Sequence, residues 1–448
     1  MIGSSPISTE THIHGTTCDV IVSRTVCVVG LGYVGLPLAI EFDRGGFSVI
    51  GYDIDSDQVS ALSRGEDPTG EVGADIIGAS TIDFYSDASS IGRADYVLVT
   101  VPTPIDELKN PDLRHVEAAG ETIGTHLSVG ATVVLESTVY PGATEEILVP
   151  SIERTSGFTS GEDFYVGYSP ERMVPGDDEH GLRDVVKIVS GQNDEVLEDL
   201  AQLYGSIIDA GVHRAPEIEV AETAKCIENI QRDINIALVN ELAIACNNIG
   251  IDAQDVLAAA RTKWNFHDYR PGLVGGHCIP VDPFHMIYQS KRNGFIPELV
   301  EQGRKVNEYV PEFVGDLLIH GLNDAGKVLR DSTVLILGLA YKPGVGDVRT
   351  SAVNGTINRL QDFGVSVIGH DSYAGEDLIK DEFNIDTVSK PDFDGVDAVL
   401  VAAPHNEYFE ISLDHITAEM NQNPLFVDVY SEFSEDEVTS SGLQYIKL

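Results

Sequence analysis

Hydrophobic and polar positions divide the chain into three patterns. The first starts at Thr25-Val-Cys-Val-Val29, a β-branched run that stops at Gly30. A stretch of helical period follows through Leu31–Gly46, and then a second apolar run, Phe47–Asp55. Strand, turn, helix and strand within about thirty residues is the size of a βαβ unit. Similar apolar runs recur at 94–102, 131–138 and 164–170, with helical stretches between them. From about 217 the pattern becomes helical throughout. A proline-free stretch to Gly250 predicts one long helix, 251–261 a second and 297–322 a third. At 333 the first pattern returns, with runs at 333–343, 365–371, 397–404 and 425–430. Alternating strands and helices predict parallel, doubly wound sheets. The expected fold class is therefore α/β, with two Rossmann-like doubly wound domains joined by a helical central domain. The expected boundaries are an N-terminal arm at 1–24, a first α/β domain at 25–215, a helical domain at 216–320 and a last α/β domain at 321–448. The helical domain has enough apolar positions to bury a face, which predicts a homodimer through it.

Charge narrows the class. The 448 residues carry 72 Asp and Glu against 28 Lys and Arg, a formal charge of −44. The acid is spread along the chain. Such a surface repels nucleic acid and anionic membrane, so neither is an expected partner. It suits a protein kept soluble in very high salt, where screening is short-ranged, and points to a halophilic cytoplasm. An acidic protein of ordinary surroundings is the alternative. The five cysteines (Cys18, Cys27, Cys226, Cys246 and Cys278) are odd in number and lack any Cys-x-x-Cys pair. They read as thiols of a reducing compartment, with no zinc site. No apolar run reaches the length of a membrane span, and no secretory signal is expected.

Several punctuated segments can carry chemistry. Gly30-Leu31-Gly32-Tyr33-Val34-Gly35 follows a strand and opens a helix, the setting in which a G-x-G-x-x-G loop holds a pyrophosphate. Asp53, at the end of the next strand, is spaced to bond a ribose 2′-OH, which favours NAD over NADP. Gly338-Leu339-Ala340-Tyr341 lacks the full glycine set, so no second dinucleotide site is expected there. Polar groups end three strands of the first domain, at Thr100–Pro104, Glu136–Val139 and Ser169–Arg172, where they either face a ligand or cap loops. Lys225, Asn229 and Arg232 share one helical face, either gripping an anionic, hydroxyl-rich ligand or forming a solvated stripe. In Gly272–Pro283 (GLVGGHCIPVDP), Gly275 and Gly276 let backbone approach a ligand, so Gly275 is a candidate substrate contact. Cys278 is either a buried small hydrophobe or a nucleophile that adds to an aldehyde and becomes a thioester. Asp282 or Lys225 could then help activate the water that releases the acid. His277 has no ligand cluster around it at metal spacing, and no metal is expected.

The segments GLGYVGLPLA, VPTP with PDL, ESTVYPG, SPERMVPG, AETAKCIEN with RDINIALVNE, GGHCIPVDP and YKPGVGDVRTSA occur in this order. In them the chain closely resembles the UDP-glucose/GDP-mannose dehydrogenase family over about 25–440. The resemblance implies NAD-linked, two-step oxidation of a nucleotide sugar's C6 alcohol to a carboxylate through a cysteine thioester. Cys278 then resembles the nucleophile, Lys225 and Asn229 the pair that stabilises charge at the C6 oxygen, and Asp282 their proton-transfer partner. Thr138 and Glu171 resemble residues around the catalytic water and nicotinamide. Gly32, Tyr33, Val34, Gly35, Asp53 and Thr103 resemble cofactor contacts, with Arg349 reaching over from the last domain. Glu171, Arg172, Arg232, Arg270 and Lys342 resemble substrate contacts. His277 either lines the sugar pocket or holds its loop. The form GGHCIPVDP is similar to the branch acting on UDP-N-acetylhexosamines, and Lys263-Trp264-Asn265 to enzymes for UDP-N-acetylglucosamine or UDP-N-acetylgalactosamine. Pro280 and Gln58 depart from that branch's usual residues. UDP-N-acetylmannosamine and UDP-glucose enzymes are the alternatives, and a non-catalytic NAD- and nucleotide-sugar-binding scaffold is the alternative from another class. A nucleotide-sugar epimerase would need a Tyr-x-x-x-Lys pair, which the sequence lacks.

Overall fold

The computed structural model describes residues 24–173 and 181–448. The arm expected over 1–24 lies outside them except for Arg24, as do Cys18 and the end of the SPERMVPG segment. The chain divides into two compact units, one ending at Cys226 and the other starting at Ile227.

The first unit is built on eight strands: β1 (Thr25–Val29), β2 (Ser48–Tyr52), β3 (Asp83–Tyr85), β4 (Tyr96–Val99), β5 (Thr132–Leu135), β6 (Tyr165–Tyr168), β7 (Lys187–Gly191) and β8 (Val212–Arg214). Their order is β3-β2-β1-β4-β5-β6-β7-β8. The order reverses between β1 and β4, which opens a crevice at the carboxyl ends of these strands. Pairing is parallel as far as β6. The sequence reading did not foresee β7 and β8, and these two run the other way, with β7 antiparallel to β6. Helix α1 (Gly35–Arg44) buries Leu36, Leu38, Ala39 and Phe42 against the sheet. Helix α2 (Asp194–Gly205), capped by the Asn193 side chain on the Val196 N–H at 2.9 Å, brings in Leu200 and Tyr204. Helices cover both faces, so consecutive strand residues such as Val97, Leu98 and Val99, or Val133, Val134 and Leu135, are buried without alternation. Each such side chain contributes about 1.5–3 kcal/mol by leaving water.

Helix α3 spans Ile218–Ile249 and is continuous through the division. In the second unit α4 (Ala253–Arg261) starts under an Asp252 cap, followed by α5 (Asp282–Arg292) and α6 (Glu298–Asp324). A six-stranded, wholly parallel sheet follows: β9 (Thr333–Leu337), β10 (Ser366–His370), β11 (Asp386–Thr387), β12 (Ala398–Val401), β13 (Leu425–Asp428) and β14 (Gln444–Lys447), in the order β11-β10-β9-β12-β13-β14. Val334, Ile336 and Leu400 pack on one face against Val310, Val314 and Leu318 of α6. Leu335, Leu337 and Val399 pack on the other against Tyr408, Ile416 and Val438.

The turn after β9 repeats the turn after β1 with one difference. Asp371, just past β10, accepts the N–H groups of Leu339 (2.8 Å), Ala340 (2.9 Å), Tyr373 (2.8 Å) and Ala374 (2.9 Å), and faces His405 Nε2 at 3.0 Å. Burial alone would raise its pKa, but His405 and the backbone donors outweigh burial and bring it down to about 2. A depressed carboxylate stabilises the fold above its unfolded pKa and loses that contribution as pH falls through its folded one. Asp371→Asn is therefore expected to lower stability by on the order of 2 kcal/mol at neutral pH. In paired melting curves the difference from wild type should shrink as pH drops from about 4 toward 2.

Candidate active site

In the first unit the glycine loop is set by sterics. Gly30 has φ of +95°, a conformation that favours glycine. A Cβ on Gly35 would stand 1.8 Å from the Gly30 carbonyl oxygen and 2.4 Å from Thr100 Oγ1, whereas a Cβ on Gly32 would meet nothing within 4 Å. Gly35 thus serves helix–strand packing, and the backbone at Gly32 is open for a ligand to approach. Val34 stands at the start of α1 and Tyr33 is exposed. The Asp53 carboxylate accepts the Leu31 N–H at 2.7 Å on one oxygen and the Asp55 N–H at 2.9 Å on the other. It is half-buried, and each oxygen keeps a lone pair for a ribose hydroxyl. Gln58 donates to the Leu31 carbonyl at 2.6 Å, so the residue that departs from the family pattern also holds this loop. These features fit a dinucleotide. The buried Asp371 carboxylate, already taken by four N–H groups and His405, leaves no comparable place at the second turn.

Two of the predicted strand ends are joined: Thr103 Oγ1 donates to the Thr138 carbonyl at 2.6 Å. Beside them the Glu222 side chain is fully buried and accepts Gly142 N–H at 2.5 Å, Thr144 N–H at 2.9 Å and Thr144 Oγ1 at 2.6 Å. Burial pushes the Glu222 carboxyl upward, against these donors. Glu171 is buried and accepts the N–H groups of Arg172 and Met173, each at 2.6 Å. The Arg172 guanidinium donates to the Val186 carbonyl. Sequence reasoning missed Lys187, which lies buried next to Glu136 and Glu171. The apolar run around it was its only signal.

In the second unit Cys278 is exposed, which removes the reading as a buried small hydrophobe. None of the four described cysteines forms a disulfide. The Cys278 carbonyl accepts Val281 N–H at 3.1 Å and Asp282 N–H at 2.8 Å, placing the residue at the amino end of α5. Asp282 is the first residue of that helix, with Pro283 next, where a missing N–H costs nothing. Asp282 is buried, and its carboxylate accepts Asn229 Nδ2 at 2.6 Å. Lys225, one turn earlier on α3 and within the first unit, is also buried, while Arg232 is exposed. The solvated-stripe reading therefore fits only the last of the three.

The glycines before Cys278 have another explanation than a ligand. A Cβ on Gly275 would come within 2.9 Å of the Thr350 carbonyl, and one on Gly276, at φ +93°, within 2.9 Å of the Tyr341 ring. His277 Nε2 lies 3.0 Å from Asp347 Oδ2, and Arg349 donates to the same carboxylate at 3.0 and 2.8 Å. Burial would raise the Asp347 pKa, but His277 and Arg349 hold it well below the usual carboxylate range. The contact with Asp347 fits the reading in which His277 holds its loop. At the loop's other end Asn240 of α3 brackets Gly272, accepting its N–H at 2.8 Å and donating to its carbonyl at 3.1 Å. Arg270 pairs with Glu432 at 3.0 Å, and Lys342 is half-buried. Among the described residues no three His, Cys, Asp or Glu side chains are grouped to hold a metal ion, and no helix is long and apolar enough to cross a membrane.

Residues 24–208 match the NAD binding domain of the UDP-glucose/GDP-mannose dehydrogenase family, 219–309 its central domain and 335–434 its UDP binding domain. The chain is 42% identical over 419 residues to protein CapL of Staphylococcus aureus, covering 94% of this chain and 98% of that one. It is 41% identical over 413 residues to the UDP-N-acetyl-D-glucosamine 6-dehydrogenase of Pseudomonas aeruginosa, covering 92% and 98%. The solved structure of a UDP-D-ManNAc dehydrogenase from Pyrococcus horikoshii superposes with a TM-score of 0.84 at 27% identity, over 94% of this chain and 98% of that one.

The two glycines separate packing from binding. Gly32→Ala is expected to keep the wild-type melting temperature and to weaken NAD+ binding about tenfold or more by calorimetric titration. Gly35→Ala is expected to lose stability by about 1–3 kcal/mol through overpacking. A Gly32→Ala protein with unchanged NAD+ affinity would place the pyrophosphate elsewhere.

Proposed function

The chain belongs to the UDP-glucose/GDP-mannose dehydrogenase family, as an NAD-dependent oxidoreductase of UDP-sugars, and from that membership we propose that it oxidises the C6 alcohol of a UDP-N-acetylhexosamine to the uronate. UDP-N-acetylglucosamine is the favoured substrate and UDP-N-acetylgalactosamine the next. The 41% identity to an enzyme named for UDP-N-acetyl-D-glucosamine, against 30% to one named for UDP-N-acetyl-D-mannosamine, supports N-acetylglucosamine over N-acetylmannosamine.

The observation that carries the chemistry is the exposed Cys278 at the start of α5, with the buried Asn229–Asp282 pair anchored one turn on. NAD+ supplies the hydride acceptor when bound, one molecule for each of the two oxidations, with Gly32, Tyr33, Val34, Gly35, Asp53 and Thr103 holding it and Arg349 adding a cofactor contact. A base, water held by Thr138, Glu171 or Asp282, takes the C6 hydroxyl proton. The Lys225 ammonium and the second Asn229 N–H stabilise the oxygen as its charge develops. With the first hydride gone from C6, Cys278 Sγ gives up its proton and bonds to the aldehyde carbon, and the resulting thiohemiacetal loses the second hydride and its hydroxyl proton to leave a thioester. Water attacks the thioester carbon, the C–S bond breaks, and the thiol and the carboxylate are released. Glu171, Arg172, Arg270 and Lys342 bind the substrate.

We assign homodimerisation to α3. Val220, Ile227, Leu238, Leu242 and Ile249 are exposed apolar residues whose spacing puts them on one face of this helix. Sedimentation at high salt, the condition the acidic surface calls for, is expected to give twice the chain mass, and Leu238→Glu with Leu242→Glu to give the monomer. A single-chain mass for the wild type would exclude the interface.

Steady-state rates on UDP-N-acetylglucosamine, UDP-N-acetylgalactosamine, UDP-N-acetylmannosamine and UDP-glucose at high salt rank the substrates, and a leading rate on either of the last two would overturn the assignment. Cys278→Ser is expected to lower acid formation by about a thousandfold or more. Full turnover by that variant would remove Cys278 from the mechanism.

A further inference from the structure

The reversal of β7 has a chemical consequence. In a parallel sheet the first residue of a strand lies at the amino edge, away from the ligand crevice. Because β7 runs antiparallel to β6, with Tyr168 opposite Ser190, its first residue, Lys187, comes back beside the loops that leave the carboxyl ends of β5 and β6. There Nζ donates to Glu136 Oε2 at 2.6 Å and to the Pro170 carbonyl at 3.0 Å, and lies 3.6 Å from Glu171 Oε2. The Tyr204 hydroxyl donates to the other Glu136 oxygen. Lys187 is 2% exposed, Glu136 1% and Glu171 8%.

Two carboxylates and one ammonium out of water are a costly way to fill a sheet edge, since apolar residues of similar volume usually stabilise as well or better. Glu136 is served twice over, by the lysine and by Tyr204. Glu171 is served unevenly. Its Oε1 accepts two backbone N–H groups, while its Oε2 is buried and makes no hydrogen bond among the described residues. Lys187 supplies the positive charge that faces that oxygen. Burial alone would lower the lysine's pKa, but Glu136 and Glu171 outweigh it and raise it, so the ammonium stays charged. At 2% exposure the lysine cannot itself touch a ligand.

We infer that Lys187 is a positioning residue for the reaction: from the reversed strand it holds the Glu171 side chain and its charge in place at the edge of the crevice. The inference rests on the reading of Glu171 as part of the site.

Lys187→Met alone leaves two buried carboxylates facing each other and is expected to destabilise the protein whatever the lysine does. The deciding variant is K187M/E136Q, which removes the ammonium together with the carboxylate it is bonded to. It is expected to regain stability relative to K187M and to keep KM for NAD+ and UDP-N-acetylglucosamine within about twofold of wild type, with kcat lowered about 10- to 100-fold. A kcat within about twofold of wild type would reduce Lys187 to a partner of Glu136 and overturn the inference. So would an E136Q single variant that loses as much kcat as the double. E171Q assayed alongside separates the premises. A slow E171Q with a fast double variant removes the role of Lys187 alone, and a wild-type kcat in E171Q removes the reading of Glu171 and this inference with it.

Discussion

A carboxylate withdrawn from water must be given donors, and in each unit the loops that carry the candidate residues are fixed by carboxylates that have found them. Asp53 holds the glycine turn through the Leu31 N–H. Glu222 gathers the backbone after β5. Asp282 is tied to α3 through Asn229. Asp347 links the His277 loop to Arg349. A buried carboxylate with a missing donor costs several kcal/mol, so each arrangement tolerates little drift. That intolerance is what a site needs when its reacting groups sit on loops, which otherwise move more than the elements they connect.

The same device explains why two similar α/β folds serve different ends. Both place an Asp after their second strand and use it to hold the turn after their first. In the first unit that Asp keeps acceptor capacity at a half-buried position. In the second it is buried under Tyr373, Ala374 and His405 and has none to spare. A dinucleotide and a nucleotide sugar can thus be assigned to separate folds of one ancestry of shape, as the matches to an NAD binding domain and a UDP binding domain record.

Much of this was legible in the sequence because parallel strands covered on both faces are unbroken apolar runs, as at Thr25–Val29 and Thr333–Leu337. Gly30-x-Gly32-x-x-Gly35 was legible because each glycine answers a separate steric demand. The direction of a strand is not written in its hydropathy, so the reversal at β7 and the purpose of Lys187 were hidden. The start of α5 was hidden by Pro280 and Pro283, which read as loop punctuation although the second stands where a helix accepts proline. Gly275 and Gly276 suggested a ligand, whereas their close approach is to Tyr341 and Thr350, residues distant in sequence.

The claim on which the mechanism turns is that the Cys278 sulfur carries the acyl group between oxidation and release. Rapid acid quench during turnover at high salt, followed by peptide mass spectrometry, tests it directly. The Cys278 peptide should gain the mass of the nucleotide-sugar acyl group, lose it on treatment with hydroxylamine, and be the only cysteine peptide modified. Uronate accumulating while that peptide stays at its unmodified mass, and continuing to form after Cys278 has been alkylated, would contradict the account.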